Sequence, residues 1–135
     1  MSAFHLDVRA DAYELRLEGE SLARLEGGAA ALLSGAGTRL REFDIEAAIE
    51  RSEDWLMPSS RRFQGLELQV RDVTGRLRRS LGEPSSFTSE AIEQAFNRAF
   101  DAVAHGRPIE PESVADVVLL REVAHHGRLS RVVIE

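Results

Sequence analysis

The side chains that could do acid–base or metal chemistry are concentrated in the C-terminal third of the chain. Three of the four histidines lie there, at His105, His125 and His126. Glu122 precedes His125 by three residues, a spacing that places a carboxylate and an imidazole on one helical face. The pattern indicates a small enzyme, either a metal-dependent hydrolase or an acid–base enzyme. Catalysis would use Glu122, His125 and His126, or a metal would bind His105, Glu122 and His125.

Two structural interpretations compete with this chemistry. Carboxylate-bridged metal sites use the Glu-x-x-His spacing twice, whereas it occurs once here, and a further ligand such as Asp101 would have to come from another helix. Histidines at the end of a helix are also favoured by the helix dipole alone. A second acidic group follows one helical face and is typical of a solvated surface; its members are Glu42, Glu46, Glu50, Glu53 and Asp54.

Arginine is the other group with binding chemistry. The chain has no lysine, so all 17 basic residues are arginines, and lysine-dependent phosphate loops and Schiff bases are excluded. Residues 61–82 hold six arginines against two acids, although the whole chain has a net charge of −6. Guanidinium groups bind carboxylates and phosphates bidentately. We therefore predict a partner-binding surface that consists of Arg61, Arg62, Arg71, Arg76, Arg78 and Trp55.

Composition limits the remaining classes. The 135 residues fit one domain with its own core, and the absence of cysteine excludes disulfides and thiolate chemistry. No secretory signal or membrane-spanning segment is visible, so a cytoplasmic location is expected. An acidic chain without aromatic side chains among its clustered arginines argues against nucleic acid as a partner. No cofactor is predicted.

Hydropathy patterning predicts the elements that position these groups. Alternation predicts a hairpin from strands 4–8 and 13–17, and a second hairpin over 66–81, whose outer face would present the arginines. Residues 21–33 are predicted as a helix capped by Ser21, with a short strand over 22–26 as the alternative. Further helices are predicted from an Asp44 N-cap stapled by Phe43, from Thr88 or Ser89, and from Ser113 to His125. A last strand is predicted over 129–134.

These elements define the expected architecture. The fold class is α+β, an antiparallel sheet of about five strands (two hairpins plus a C-terminal strand) with helices packed on one face. Residues 1–135 form a single domain in this interpretation. The order of the elements also indicates an internal ββαα duplication hinged near 83–87, which no residue-level identity supports.

The leading functional hypothesis is a non-enzymatic bacterial protein–protein interaction module. Its size and acidity are similar to those of small accessory, chaperone-like or immunity-type proteins, without a shared motif. The arginine surface would bind an acidic surface of an unidentified protein partner, and the module is expected to be a homodimer. The enzyme hypothesis above is the alternative, and a binder of a small anionic ligand is a second alternative.

Overall fold

The computed structural model describes residues 3–82 and 85–135. The strands are β1 (Phe4–Val8), β2 (Ala12–Leu17), β3 (Glu20–Glu26), β4 (Glu67–Asp72), β5 (Ser86–Phe87) and β6 (Arg131–Ile134). The helices are α1 (Ala29–Leu32), α2 (Glu42–Leu56), α3 (Arg76–Leu81), α4 (Ser89–Ala104) and α5 (Pro111–Gly127). A 3₁₀ turn occupies Ser60–Phe63.

The strands form one mixed sheet in the order β3-β2-β1-β4-β6-β5. β1, β2 and β3 pair antiparallel, and β5 pairs antiparallel with β6, whereas β4 is parallel to both β1 and β6. The α+β class is confirmed, but an antiparallel sheet of about five strands is only roughly right. Helical connections precede β4 and β6, and such crossovers bring strands back in parallel.

The predicted second hairpin over 66–81 is wrong. β4 is formed, but residues 76–81 form α3 instead of a returning strand. The carboxylate of Asp72 explains the helix, because it accepts hydrogen bonds from the backbone nitrogens of Thr74, Gly75 and Leu77 at 2.8–3.1 Å. These bonds satisfy amides that a helix start leaves free. Gly75 adopts the left-handed conformation that the turn requires, with φ 75°.

The helix predicted over 21–33 is also wrong, and the alternative strand is present as β3. Two glycines with positive φ separate β3 from the short α1. A Cβ atom on Gly28 would lie 2.9 Å from the backbone nitrogen of Ala12, so only glycine fits beside the β1–β2 turn.

Helix starts differ in detail from the predictions. Asp44 lies inside α2, where its side chain accepts a hydrogen bond from the backbone nitrogen of Arg41 at 2.8 Å. Phe43 is 62% exposed and does not staple onto the core. The Thr88 cap is confirmed, since its hydroxyl accepts from the backbone nitrogen of Ala91 at 3.2 Å. α5 begins at Pro111, before the predicted Ser113, because proline is well tolerated in a first helical turn.

The core lies between one face of the sheet and a layer of helices. α5 is buried along most of its length and packs against α2, α3 and α4. From the sheet, Phe4, Leu6 and Val8 of β1 are buried in this core. Phe4 stacks on Phe63 with ring centroids 4.7 Å apart. The opposite face of the sheet carries charged and polar side chains and is called the polar face below.

Two expectations about organisation remain predictions. Glu83 and Pro84, in the proposed hinge of the ββαα duplication, lie outside the described residues. The single-domain interpretation is likewise a prediction. Within the part of the chain that the structure describes, no helix has the length and apolarity needed to cross a bilayer.

Candidate functional site

A row of five charged side chains crosses the polar face of the sheet. In order from β3 to the residue after β6, the charged row consists of Arg24, Glu14, Asp7, Arg71 and Glu135. Strand register creates it, since Arg24 pairs with Glu14, Glu14 with Asp7, and Asp7 with Arg71. Arg71 and Glu135 complete the row with a separation of 3.6 Å between Nε and Oε2.

Asp7 lies at the centre of the charged row, one residue before the carboxyl end of β1. Its side chain is only 4% exposed, and its Oδ2 lies 3.4 Å from Nη2 of Arg9. The Arg9 side chain is 43% exposed, so this ion pair joins a surface arginine to a buried carboxylate. In α/β sheets, ligands bind outside the carboxyl ends of parallel strands, and β1 and β4 are such a pair.

Glu14 is the second carboxylate of the row, directly opposite Asp7. It accepts a hydrogen bond from the hydroxyl of Ser21 at 2.9 Å, and it lies 3.2 Å from Arg16 and 3.7 Å from Arg24. The Ser21 hydrogen bond and the two arginines hold the pKa of Glu14 below its ordinary value, against the opposing effect of burial. Like charges facing each other across strands are destabilising, and these arginines offset that repulsion.

A buried polar network lies behind the carboxyl ends of the strands, on the core side. Nε and Nη2 of Arg76 bind the two carboxylate oxygens of Asp116 at 2.8 and 3.1 Å, and the Tyr13 hydroxyl donates to the same carboxylate. Burial raises the pKa of Asp116, and the hydrogen bonds from Arg76 and Tyr13 oppose that shift. Burial and the Asp116 charge raise the pKa of Tyr13 far above its ordinary value. Both oxygens of Asp116 and the hydroxyl of Tyr13 are engaged in this network, which supports the fold.

The structure does not bring the predicted partner-binding residues together on one face. Arg61 and Arg62 lie on the 3₁₀ turn, far along the chain from the carboxyl end of β4. Arg71 is exposed on β4, whereas Arg76 is 9% exposed and bound to Asp116. Arg78 donates to the backbone oxygen of Ile134. The expected shared outer face for Arg71, Arg76 and Arg78 is wrong, because the last two belong to a helix.

Trp55, the remaining predicted partner contact, packs against the core from the end of α2. Its ring nitrogen Nε1 is buried and has no hydrogen-bond partner among the described residues. A buried indole of this kind is a packing residue with one unsatisfied donor.

The predicted histidine and glutamate sets are assembled only in part, through Glu122 and His126 of the predicted catalytic set. His105 ends α4 and lies 3.1 Å from Asp101, while His125 lies 3.1 Å from Glu93. Glu122 instead lies near His126, with 3.7 Å between Oε1 and Nε2. Burial raises the pKa of Glu122, with the Arg121 charge opposing the shift.

An unpredicted residue joins that last pair. Glu53 of α2 brings its carboxylate to Glu122 and His126, so that one ligand atom of each lies within 4.8 Å of the others. The sequence placed Glu53 in the acidic stripe of α2, and nothing in its spacing indicates which residue of α5 it faces. We call these three residues the Glu–Glu–His cluster.

Comparison with solved structures shows that the arrangement of strands and helices is similar to about half of a Ppx/GppA phosphatase chain. No protein-family model matches the sequence, and no curated protein matches it. The likeness is therefore one of three-dimensional structure.

Two of the similar structures show the extent of the likeness. The chain matches the type II variant of the Aquifex aeolicus Ppx/GppA phosphatase with a TM-score of 0.72 at 10% identity, covering 99% of this chain and 53% of that one. An exopolyphosphatase from Cytophaga hutchinsonii matches with a TM-score of 0.67 at 14% identity, covering 98% and 52%. This chain thus spans about half the length of the structures it resembles.

These comparisons correct the leading functional hypothesis. A non-enzymatic interaction module is contradicted, because the solved structures that share the fold are phosphatases. The same finding contradicts the expectation that the chain is not an enzyme, and it agrees better with the alternative of a small hydrolase.

Proposed function

We propose that this chain is one lobe of a phosphate-ester or phosphoanhydride hydrolase whose site lies at the carboxyl ends of β1 and β4. Structural likeness to phosphatases, one of them described as an exopolyphosphatase, supports the reaction class. The single observation behind the location is Asp7, a carboxylate nine-tenths buried in a central strand, with Arg9 3.4 Å away and Arg71 opposite it on β4.

The chemistry of phosphoryl transfer explains why this combination is suited to the task. Positive groups must neutralise the phosphoryl oxygens, and a further group must orient the attacking water. Arg9 contacts Asp7 and Arg71 lies opposite Asp7 on β4, so two guanidinium groups are near this carboxylate. A guanidinium binds phosphate oxygens bidentately. With no lysine in the chain, arginine is the cation available for this role.

Arg9 links binding to catalysis in this proposal. In the free protein its guanidinium lies against Asp7. A bound phosphate attracts Arg9 and uncovers the carboxylate. Asp7 then accepts a proton from a water molecule whose oxygen bonds to phosphorus, while the leaving oxygen departs with the electron pair of the broken bond.

The length of the related structures implies a second lobe. Since this chain matches about half of each, we propose that the polar face forms one wall of a cleft. The opposite wall would come from another domain or chain. Phosphate binding by this lobe alone is the property to test first.

Isothermal titration calorimetry with tripolyphosphate tests the proposal. Substituting Arg9→Gln or Arg71→Gln is expected to weaken binding by at least about tenfold, because a hydrogen bond to a charged group contributes about 1.5–3 kcal/mol. Arg107→Gln is the matched control, since Arg107 is exposed and pairs with Asp101 away from the charged row. Equal affinities for all four proteins would contradict the proposal.

Asp7→Asn separates binding from hydrolysis. The substitution keeps the shape of the side chain and removes a negative charge, so tripolyphosphate should bind at least as tightly as to the native chain. Any phosphate release by the native chain should be lost. Weaker binding by this variant would place Asp7 among the structural residues.

A further inference from the structure

The Glu–Glu–His cluster lies nearer the C-terminal end of α5 than the network behind the proposed phosphate site. Asp116, near the start of α5, contacts the network behind the carboxyl ends of the strands. Glu122 and His126 lie nearer the C-terminal end of α5, where the oxygen of Gly127 accepts a hydrogen bond from Gly65, just before β4 begins. The cluster is therefore spatially separate, and the proposed hydrolase does not use it.

Two helices form the cluster. Glu122 and His126 are four residues apart on α5, the spacing that puts side chains on one face, and Glu53 extends from the adjacent α2. One carboxylate is exposed and the other is buried: the Glu122 side chain is only 4% exposed. This mixed set of two oxygens and one imidazole nitrogen differs from a run of surface acids.

Only one of the two oxygens of the Glu122 carboxylate accepts a hydrogen bond within the described residues. Its Oε2 accepts a hydrogen bond from Nη1 of Arg121 at 3.0 Å. Its Oε1 has no hydrogen bond within the described residues and points at Nε2 of His126 from 3.7 Å. A separation of 3.7 Å is too long for a hydrogen bond, so this oxygen can accept a further partner.

The negative charges of the Glu–Glu–His cluster exceed the positive charges beside them. Two carboxylates converge, and the nearest fixed cation, Arg121, also binds both oxygens of Glu93 at 3.1 Å. In the part of the chain that is described, Glu53 forms no ion pair of its own. A divalent cation between the three groups would neutralise the excess charge and give Oε1 of Glu122 a partner.

We propose that Glu53, Glu122 and His126 bind one divalent transition-metal ion, of which Zn²⁺ is the representative. Ligand atoms of a tetrahedral zinc site lie roughly 3.3–3.5 Å apart, given bond lengths of about 2.0–2.2 Å. The Glu122–His126 separation is close to that value, and the exposed Glu53 side chain can rotate to complete it. An imidazole in the set favours Zn²⁺ over Mg²⁺ or Ca²⁺, which prefer oxygen ligands only.

Such an ion links α2 to α5 and leaves at least one coordination position for water. This set replaces the one predicted from sequence, since Glu122 is shared but His105 and His125 are paired elsewhere. Those two histidines are therefore matched controls for His126.

Calorimetric titration of the chelator-treated chain with Zn²⁺ tests the proposal. We expect one ion per chain, binding weakened at least tenfold by Glu53→Gln and by His126→Gln, and no change with His105→Gln or His125→Gln. Zn²⁺ should also raise the melting temperature of the native chain and of both controls, but not of His126→Gln. Absence of stoichiometric binding, or equal affinity in the native, Glu53→Gln and His126→Gln proteins, would overturn the assignment. Tripolyphosphate binding by these variants reports separately on the proposed hydrolase site.

Discussion

Asp116 occupies a position where a carboxylate is costly unless its neighbours supply hydrogen bonds. It is 1% exposed in the first half of α5, and both of its oxygens are bound by Arg76, with Tyr13 as a further donor. Removing one partner of such a buried pair leaves an uncompensated charge. The network thereby holds α3 and β2 against α5.

Arg76→Ala is therefore expected to destabilise the fold by about 3 kcal/mol or more, the usual cost of breaking a buried ion pair. Arg79→Ala is the control on the same helix, because Arg79 is 61% exposed and pairs with Glu110 at 3.5 Å. Its expected cost is below about 1 kcal/mol. Urea denaturation of both variants measures the difference, and equal losses would show that the network contributes no more than a surface pair.

The sequence contains the three residues of this network but no signal that joins them. Tyr13, Arg76 and Asp116 are separated by 40 to 103 positions in the hydrogen-bonded pairs. Arg76 belongs to a cluster of arginines, a pattern typical of surfaces. Its burial depends on the packing of α3 against α5, which only the tertiary structure establishes.

At the scale of elements, the pairing of β2 with β3 lowers the pKa of Glu14. The register shifts between Leu15 and Arg16, and Ser21 of β3 donates its hydroxyl to Glu14 of β2. That hydrogen bond is the largest contribution to the lowered pKa of Glu14. Because the folded-state pKa is lowered, Glu14 stabilises the fold above its ordinary value of 4.5, and this contribution is lost as the pH falls through the folded value.

Ser21→Ala should raise the pKa of Glu14 towards its ordinary value. Carbon NMR of the side-chain carboxyl group between pH 2 and 7 measures this directly. The variant should also lose less stability than the native chain on acidification, since less of the stabilisation depends on ionised Glu14. An unchanged pKa would mean that Arg16 and Arg24 alone hold the carboxylate ionised.

Elements with strong periodicity were predictable, and short elements were not. The strands around Leu6 and Leu15 and the apolar stripe of α4 follow directly from their spacing. α3 has six residues, four of them polar, and its start depends on hydrogen bonds to Asp72. Hydropathy alternation cannot distinguish such a helix from a strand, so its prediction failed.

At the scale of the whole molecule, the parallel pairing of β1 with β4 creates the proposed site. It places Asp7 beside Arg71, 64 positions later in the chain, and puts both near the carboxyl ends of their strands. Sequence alternation does predict that Asp7 faces away from the core. That Arg71 lies opposite Asp7 follows only from the order of the strands in the sheet. The hairpin predicted over 66–81 paired this strand with the wrong neighbour.

The structure leaves the expectations about partners untested. A homodimer, a cytoplasmic location and the absence of a nucleic-acid partner stay predictions. The proposed cleft makes the oligomeric state relevant, because its second wall would come from another domain or from another chain.

The most direct test of a phosphate site at the carboxyl ends of β1 and β4 is a nitrogen–proton NMR titration of the labelled chain with tripolyphosphate. We predict shifts of the backbone amides in 8–11 and 71–75, with those in 122–127 unaffected. The proposed site would be contradicted if the amides of 8–11 and 71–75 did not shift, or if the shifts were concentrated at Arg61 and Arg62.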